Sequence, residues 1–259
     1  MPVVVLFYHR VADDGANPWT VSNRRFARQI GWLADRFEMV SLAEAQRRIR
    51  GGNRRPCVSI TFDDGYAENC REAIPLLLRE SIPCTYFVTL GNVLSGEPFA
   101  HDLARGDRLP PNDLGQLREM AAAGIEIGAH TYSHADLGQV TEERRLYREV
   151  VTAGEDLQER LGHRVRYFAF PIGQRANLSG RAFELARAAG YEAACSAYGG
   201  YNLPGQDPFH LQRIGVDDEM IGLKNRASID PRKLGIPRFV VEPAEGPAAG
   251  PVPELTGTT

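Results

Sequence analysis

Seven short runs of β-branched and aromatic residues, separated by stretches of helical character, leave this chain few ways to fold. The runs are Val3 to Phe7, Val58 to Phe62, Thr85 to Thr89, Ile125 to Ile127, Tyr167 to Phe170, Glu192 to Ser196 and Leu211 to Val216, and each reads as a strand. One intervening segment, capped by Asn112 and ending at Gly124, carries Leu114, Leu117 and Met120 on a single helical face. A second opens at Thr141 and bears Leu146, Val150, Leu157 and Leu161, and a third runs from Ser179 to Ala189 and is closed by Gly190. Strands alternating with helices make a parallel sheet, and this number of units predicts a closed or nearly closed barrel. The expected fold is therefore α/β, a distorted (β/α)7-type barrel in a single domain. No glycine-rich phosphate loop follows the first run, which argues against an open dinucleotide-binding sheet.

At 259 residues the chain can bury a full core in one domain. We assign that domain to residues 1–240. From Glu242 onward Pro, Gly, Ala and Thr dominate, so 241–259 is expected to be a disordered tail. Gly91 to Pro111, rich in Gly, Pro and Asp, is long for a connection and predicts a loop bordering a site. A net charge of -3 offers no electrostatic footprint for nucleic acid, so a polymeric partner should be neutral. The apolar run within Met1 to Arg10 lacks a basic region before it and a cleavage site after it, and no stretch approaches the roughly 20 apolar residues of a membrane-spanning helix. A cytoplasmic location with no membrane segment is expected. Cys57, Cys70, Cys84 and Cys195 have neither zinc-cluster spacing nor disulfide density, and read as isolated buried thiols.

The chemistry concentrates in two stretches. Thr61-Phe62-Asp63-Asp64-Gly65 directly follows a strand, which places both carboxylates at its C-terminal end, the edge where barrel enzymes gather catalytic groups. Neighbouring anions in a partly dry site are costly unless a cation or donor neutralises one of them, although Asp-Asp-Gly is also an ordinary turn sequence. His130-Thr131-Tyr132-Ser133-His134 follows the next strand but one and falls on the same rim. Two imidazoles four residues apart can face one way if the segment coils into a helical turn, and two histidines with a carboxylate leave open positions on a zinc ion.

These paired stretches resemble the polysaccharide deacetylases of the NodB-homology type, carbohydrate esterase family 4, over Val3 to Val216. By position, the resemblance makes Asp63 the general base and Asp64, His130 and His134 the ligands of one divalent metal, zinc before cobalt, nickel or manganese. A cation on one carboxylate lets its neighbour stay ionised, in agreement with the electrostatics. A third stretch, Phe168 to Gly173, matches the wall of the family's substrate groove. The resemblance implies substrate contacts from Phe170, Pro171 and Ile172, with the Ile172 amide as an oxyanion donor. Many members carry an arginine where this chain has Ala169, which leaves Asp63 without its usual partner. Family members commonly supply the general acid from a late Leu-x-His stretch, which the surroundings of His210 match poorly. Tyr8-His9 instead fits the circularly rearranged subgroup similar to poly-N-acetylglucosamine deacetylases, and His9 is the expected acid.

The expected function is removal of N-acetyl groups from an N-acetylhexosamine-containing poly- or oligosaccharide, with release of acetate. Alternatives are an O-acetyl carbohydrate esterase and a non-catalytic carbohydrate-binding protein of the same fold, for which Ala169 is the best support. A metal-dependent glycosyltransferase using Asp63 and Asp64 would leave His130 and His134 unexplained.

Overall fold

A computed structural model describes residues 1–15, 17–228, 230 and 234–241. The expected tail therefore lies, apart from its first residue, outside the described residues. The main sheet has nine parallel strands: the two-residue strand Glu38–Met39, which pairs with Cys57 and Val58, and eight that follow one continuous path, β1 (Val3–Tyr8), β2 (Cys57–Phe62), β3 (Cys84–Val88), β4 (Glu126–Ala129), β5 (Tyr167–Ala169), β6 (Ala193–Ser196), β7 (His210–Gln212) and β8 (Ile214–Gly215). Their spatial order is β7-β6-β5-β4-β3-β2-β1-β8. Its two ends are one chain segment broken at Arg213, so β7 pairs with β6 while β8 pairs with β1 and the sheet comes round on itself. Counted as one interrupted strand, β7 and β8 complete the seven runs read from the sequence.

The two-residue period of a strand divides each one between an outer and an inner face. Val4, Leu6 and Tyr8 of β1 join Phe26, Ile30 and Leu33 of the helix Asn23–Ala34 on the outside. Val3 and Val5 belong inside, with Phe87, Ala169 and Cys195, where the helix Leu42–Gly51 contributes Leu42, Ala45 and Ile49 to the same cluster. Each fully buried side chain of this size contributes roughly 1.5–3 kcal/mol. Continued along the chain, the alternation sends Phe7 of β1 with His9 just beyond it, and Thr61 of β2 with Asp63 just beyond it, to the inner face at the C-terminal rim.

Several boundaries differ from expectation. Asp113, not Asn112, caps the helix Leu114–Ala122: its Oδ1 accepts from the Gln116 N–H, and the Gln116 side chain returns to the Asp113 N–H. Asn112 is buried instead, with its side-chain amide 2.9 Å from the Tyr86 hydroxyl, which itself donates to the Tyr66 carbonyl. The second helix starts at Glu143, after Glu142 rather than Thr141, and widens into a π-helix over Arg148–Thr152 before continuing as Ala153–Leu161. Ser179 caps Gly180–Ala188 through the Ala182 N–H, as its position predicts. The stretch from Gly91 to Pro111 folds into two short helices, Leu90–Ser95 and Ala100–Leu103. The four cysteines are free thiols, three of them buried, and among the described residues no helix is long and apolar enough to cross a membrane.

Candidate active site

Strict alternation along β2 would send Asp63 and Asp64 to opposite faces. A tight turn prevents it. The Gly65 N–H donates to the Asp63 carbonyl at 2.9 Å, and Asp64 and Gly65 take φ values of 72° and 101°. Aspartate tolerates this left-handed conformation better than most residues, and both carboxylates end up lining one pocket. A similar turn occurs across the rim, where the Gly173 N–H donates to the Pro171 carbonyl around Ile172, a β-branched residue at φ 61°. Such strained positions persist only where the surroundings enforce them.

His130 follows β4 directly and its Nδ1 lies 2.8 Å from the Ala169 carbonyl. A carbonyl only accepts, so Nδ1 carries a proton and Nε2 is the ring atom that would face a cation. That Nε2 lies 3.4 Å from Oδ1 of Asp64, and Nε2 of His134 lies 3.1 Å from the same oxygen. The helical turn expected between the histidines is not present: Thr131 and His134 sit at φ 67° and 57°, and these two left-handed residues bring the rings together. Ligand atoms of Asp64, His130 and His134 all fall within 4.8 Å of one another. Oδ1 of Asp64 is buried without a hydrogen-bond partner. A carboxylate oxygen orphaned between two imidazole nitrogens fits a divalent cation, whose charge and vacant orbitals would satisfy all three groups. Burial, which would raise the Asp64 pKa, is outweighed by His134 and His130, and the group stays well below the usual carboxylate range. For His134 burial is overridden by the Asp64 carboxylate, which raises the imidazole.

The partner that Ala169 cannot supply comes from the barrel closure. Nη1 and Nη2 of Arg213 lie 2.6 and 2.8 Å from Oδ1 and Oδ2 of Asp63. The guanidinium is fully buried, close to the rings of Phe7 and Phe87, and also donates to Thr61 Oγ1 and the Ser196 carbonyl. Burial alone would raise the Asp63 pKa, but Arg213 and His130 outweigh it and hold the group below its ordinary value. The sequence reading missed this residue. Its signal was a lone arginine inside the apolar run Leu211 to Val216.

His9, Asp63, Asp64, His130, His134 and Ile172 line one pocket of about 350 Å³. Burial pushes the His9 imidazole below its ordinary value, opposed by the charges of Asp64 and Asp63. His210 is elsewhere: its Nε2 is 2.9 Å from Ser196 Oγ, its ring packs against Phe183, and burial pushes it down to about 3. Phe170 and Pro171 are buried, the Phe170 ring against Phe168 and Phe183, so of the expected substrate contacts Ile172 alone is half-exposed at the pocket. Among the described residues nothing accepts from its N–H. Two further aromatic residues of the pocket were not anticipated. Trp19 donates to the Tyr66 hydroxyl, and His101, stacked on Phe99, lies 3.0 Å from that hydroxyl and 3.9 Å from Oδ2 of Asp64. His101 comes from the segment expected to border the site.

Residues 50–194 match the family model described as polysaccharide deacetylase. The chain is 24% identical over 232 residues to YxkH of Bacillus subtilis (strain 168), a protein named as a polysaccharide deacetylase, which covers 88% of this chain and 76% of that one. It is 27% identical over 122 residues to a chitooligosaccharide deacetylase of Bradyrhizobium sp. (strain ANU 289), covering 47% and 48% of the two chains. The structure of IcaB from Ammonifex degensii superposes with a TM-score of 0.71 at 28% identity, over 87% of this chain and 95% of IcaB.

Proposed function

Since the chain belongs to the polysaccharide deacetylase family, and is a hydrolase on that account, we propose that it is a metal-dependent enzyme removing N-acetyl groups from an N-acetylhexosamine-containing poly- or oligosaccharide. The convergence of Asp64, His130 and His134 on one orphaned carboxylate oxygen, beside an Asp63 held ionised by Arg213, carries this reading. The name of the Bradyrhizobium relative supports the N-acetyl substrate.

A divalent cation held by Asp64, His130 and His134, zinc before cobalt, nickel or manganese, would supply Lewis acidity to the acetyl carbonyl and lower the pKa of a water. Asp63 accepts the proton of the attacking water, and its clamp by both nitrogens of Arg213 fixes which lone pair faces the substrate. As the tetrahedral carbon forms, the Ile172 N–H donates to its oxyanion. His9, on the inner face of the rim, delivers a proton to the amine nitrogen as the carbon–nitrogen bond breaks, leaving acetate and a free amine. Placement of Arg213 removes the observation that favoured a non-catalytic binding protein. The test is acetate release from N-acetylglucosamine oligomers before and after chelation, with zinc restored afterwards. Loss on chelation and recovery on zinc is the expected result, whereas full activity in metal-free protein would overturn metal dependence. Release from acetylated xylan alone would shift the substrate to an ester.

A further inference from the structure

Between the two histidines of the proposed metal site the backbone takes a turn that something must hold. Thr131, fully buried and β-branched, sits at φ 67°, with His134 at 57°. Residues in this region cost on the order of 1–3 kcal/mol each and persist only when their surroundings over-determine them. One side chain meets the turn from the helical layer. The carboxylate of Glu149, 3% exposed, accepts through Oε2 from the Tyr132 N–H at 3.0 Å and the Ser133 N–H at 2.9 Å. Its Oε1 accepts from the Ser133 hydroxyl at 2.6 Å.

The preceding residue of the same helix reinforces the contact, since the Arg148 guanidinium lies 4.2 Å from the centre of the Tyr132 ring. The backbone carbonyls of the turn are held by the Leu90 N–H on Thr131 and the Gly91 N–H on Tyr132. A Cβ at Gly91 would come within 2.6 Å of the Tyr132 carbonyl, so the approach is as close as glycine permits. Glu149 reaches the turn from the π-helix Arg148–Thr152, inserted in a run that is otherwise α-helical from 143 to 161. That widened turn buries Glu149, Val150 and Val151 in succession, so an acid is turned toward the rim while both valines stay in the core. π-turns inside α-helices often mark functional positions.

We propose that Glu149 is a positioning residue for the metal centre: it fixes the turn that aims His130 and His134 at Asp64, and the π-helix exists to place it. The proposal rests on the metal reading of Asp64, His130 and His134. Glu149 touches neither histidine, so its effect passes through the backbone of Tyr132 and Ser133. Partners that orient metal ligands are commonly worth 10–100-fold in metal affinity, and a loss in that range is expected here.

The experiment measures zinc affinity by competition with a chromophoric chelator, and amide exchange at Tyr132 and Ser133, in the full chain. Glu149→Gln keeps the shape but turns an NH2 group toward donors; zinc affinity should fall by about 10–100-fold and both amides should exchange faster. Ser133→Ala, which leaves the helix untouched, should cause a smaller loss in the same direction. Leu157→Ala in the same helix removes packing and lowers Tm, but should leave zinc affinity and these two amides as in the parent. Parent-like zinc affinity in Glu149→Gln, or in Ser133→Ala should Glu149→Gln not fold, overturns the positioning role alone. So does a Leu157→Ala variant that loses as much affinity. A parent protein that takes up no zinc overturns the metal reading and this proposal with it.

Discussion

Both carboxylate oxygens of Asp63 are gripped by the guanidinium of Arg213, a residue 150 positions away in the sequence. A fork-on-fork pair fixes orientation as well as charge. Arg213→Lys keeps the charge and loses the fork, so kcat on an N-acetylglucosamine oligomer should fall by about 10²-fold with KM little changed. Arg213 lowers the Asp63 pKa; weakening the pair lets that pKa rise, so the acid limb of the kcat/KM profile should move to higher pH. An unmoved limb with a parent-like rate would show that Arg213 does not poise the base. Arg213→Met, which strands a buried carboxylate, should cost about 3–5 kcal/mol in urea unfolding.

Asp63 and Asp64 are neighbours with different surroundings, and their asparagine variants should separate. Asp63→Asn should keep close to one metal per chain while losing rate by roughly 10²-fold or more. Asp64→Asn, which neutralises the carboxylate that faces His130 and His134, should lose the metal. Elemental analysis of the two proteins is the check, and equal metal loss in both would abolish the distinction.

A general acid matters most when the leaving group is poor. His9→Ala should therefore slow amide cleavage far more than hydrolysis of an activated aryl acetate, whose phenolate leaves unprotonated. His210→Gln should leave the ratio of the two rates at the parent value, because His210 is buried outside the pocket against Ser196 and Phe183. The opposite pattern would move the acid to the C-terminal end of the domain.

His210 instead gives the fold a dependence on pH. Its folded pKa is pushed down to about 3 by burial, whereas an unfolded imidazole titrates near 6.5. Between those values the unfolded state binds more protons, so stability is complete above the unfolded pKa and falls as the solution is acidified. From pH 7 to pH 4 this one residue should cost on the order of 3 kcal/mol. His210→Gln should show a correspondingly shallower loss in urea titrations over that range; an unchanged slope would mean that His210 is solvated in the native state.

The legible part of the site was the part written contiguously. Asp63 with Asp64, and His130 with His134, announce themselves because strand ends deliver adjacent residues to one rim, and alternation along the first strand extends that to His9. Residues that act through tertiary packing carry no such mark. Arg213 looked like a charge in a strand until the sheet closed around it. Trp19 and His101 reach the pocket from segments whose paths depend on contacts with Tyr66 and Phe99. Backbone strain was equally hidden, since the positive φ of Asp64, Thr131, His134 and Ile172 falls on residues whose propensities argue against it or are neutral. The helix start slipped by one residue at Asn112 because the neighbouring Asp113 is as good a cap, and at Thr141 the helix instead begins after Glu142, whose side chain makes no capping bond.

Closure of the barrel by a single segment also sets the order in which the molecule acquires its competence during synthesis. The aspartates leave the ribosome early, but the guanidinium that poises one of them is translated 150 residues later, on the same segment that covers the open edges of β1 and β6. A nascent chain lacking that segment has two exposed strand edges and an unrestrained base. Chains terminated before Arg213 should thus be prone to edge-to-edge association and hydrolytically silent, so that premature stops yield no partly working fragments.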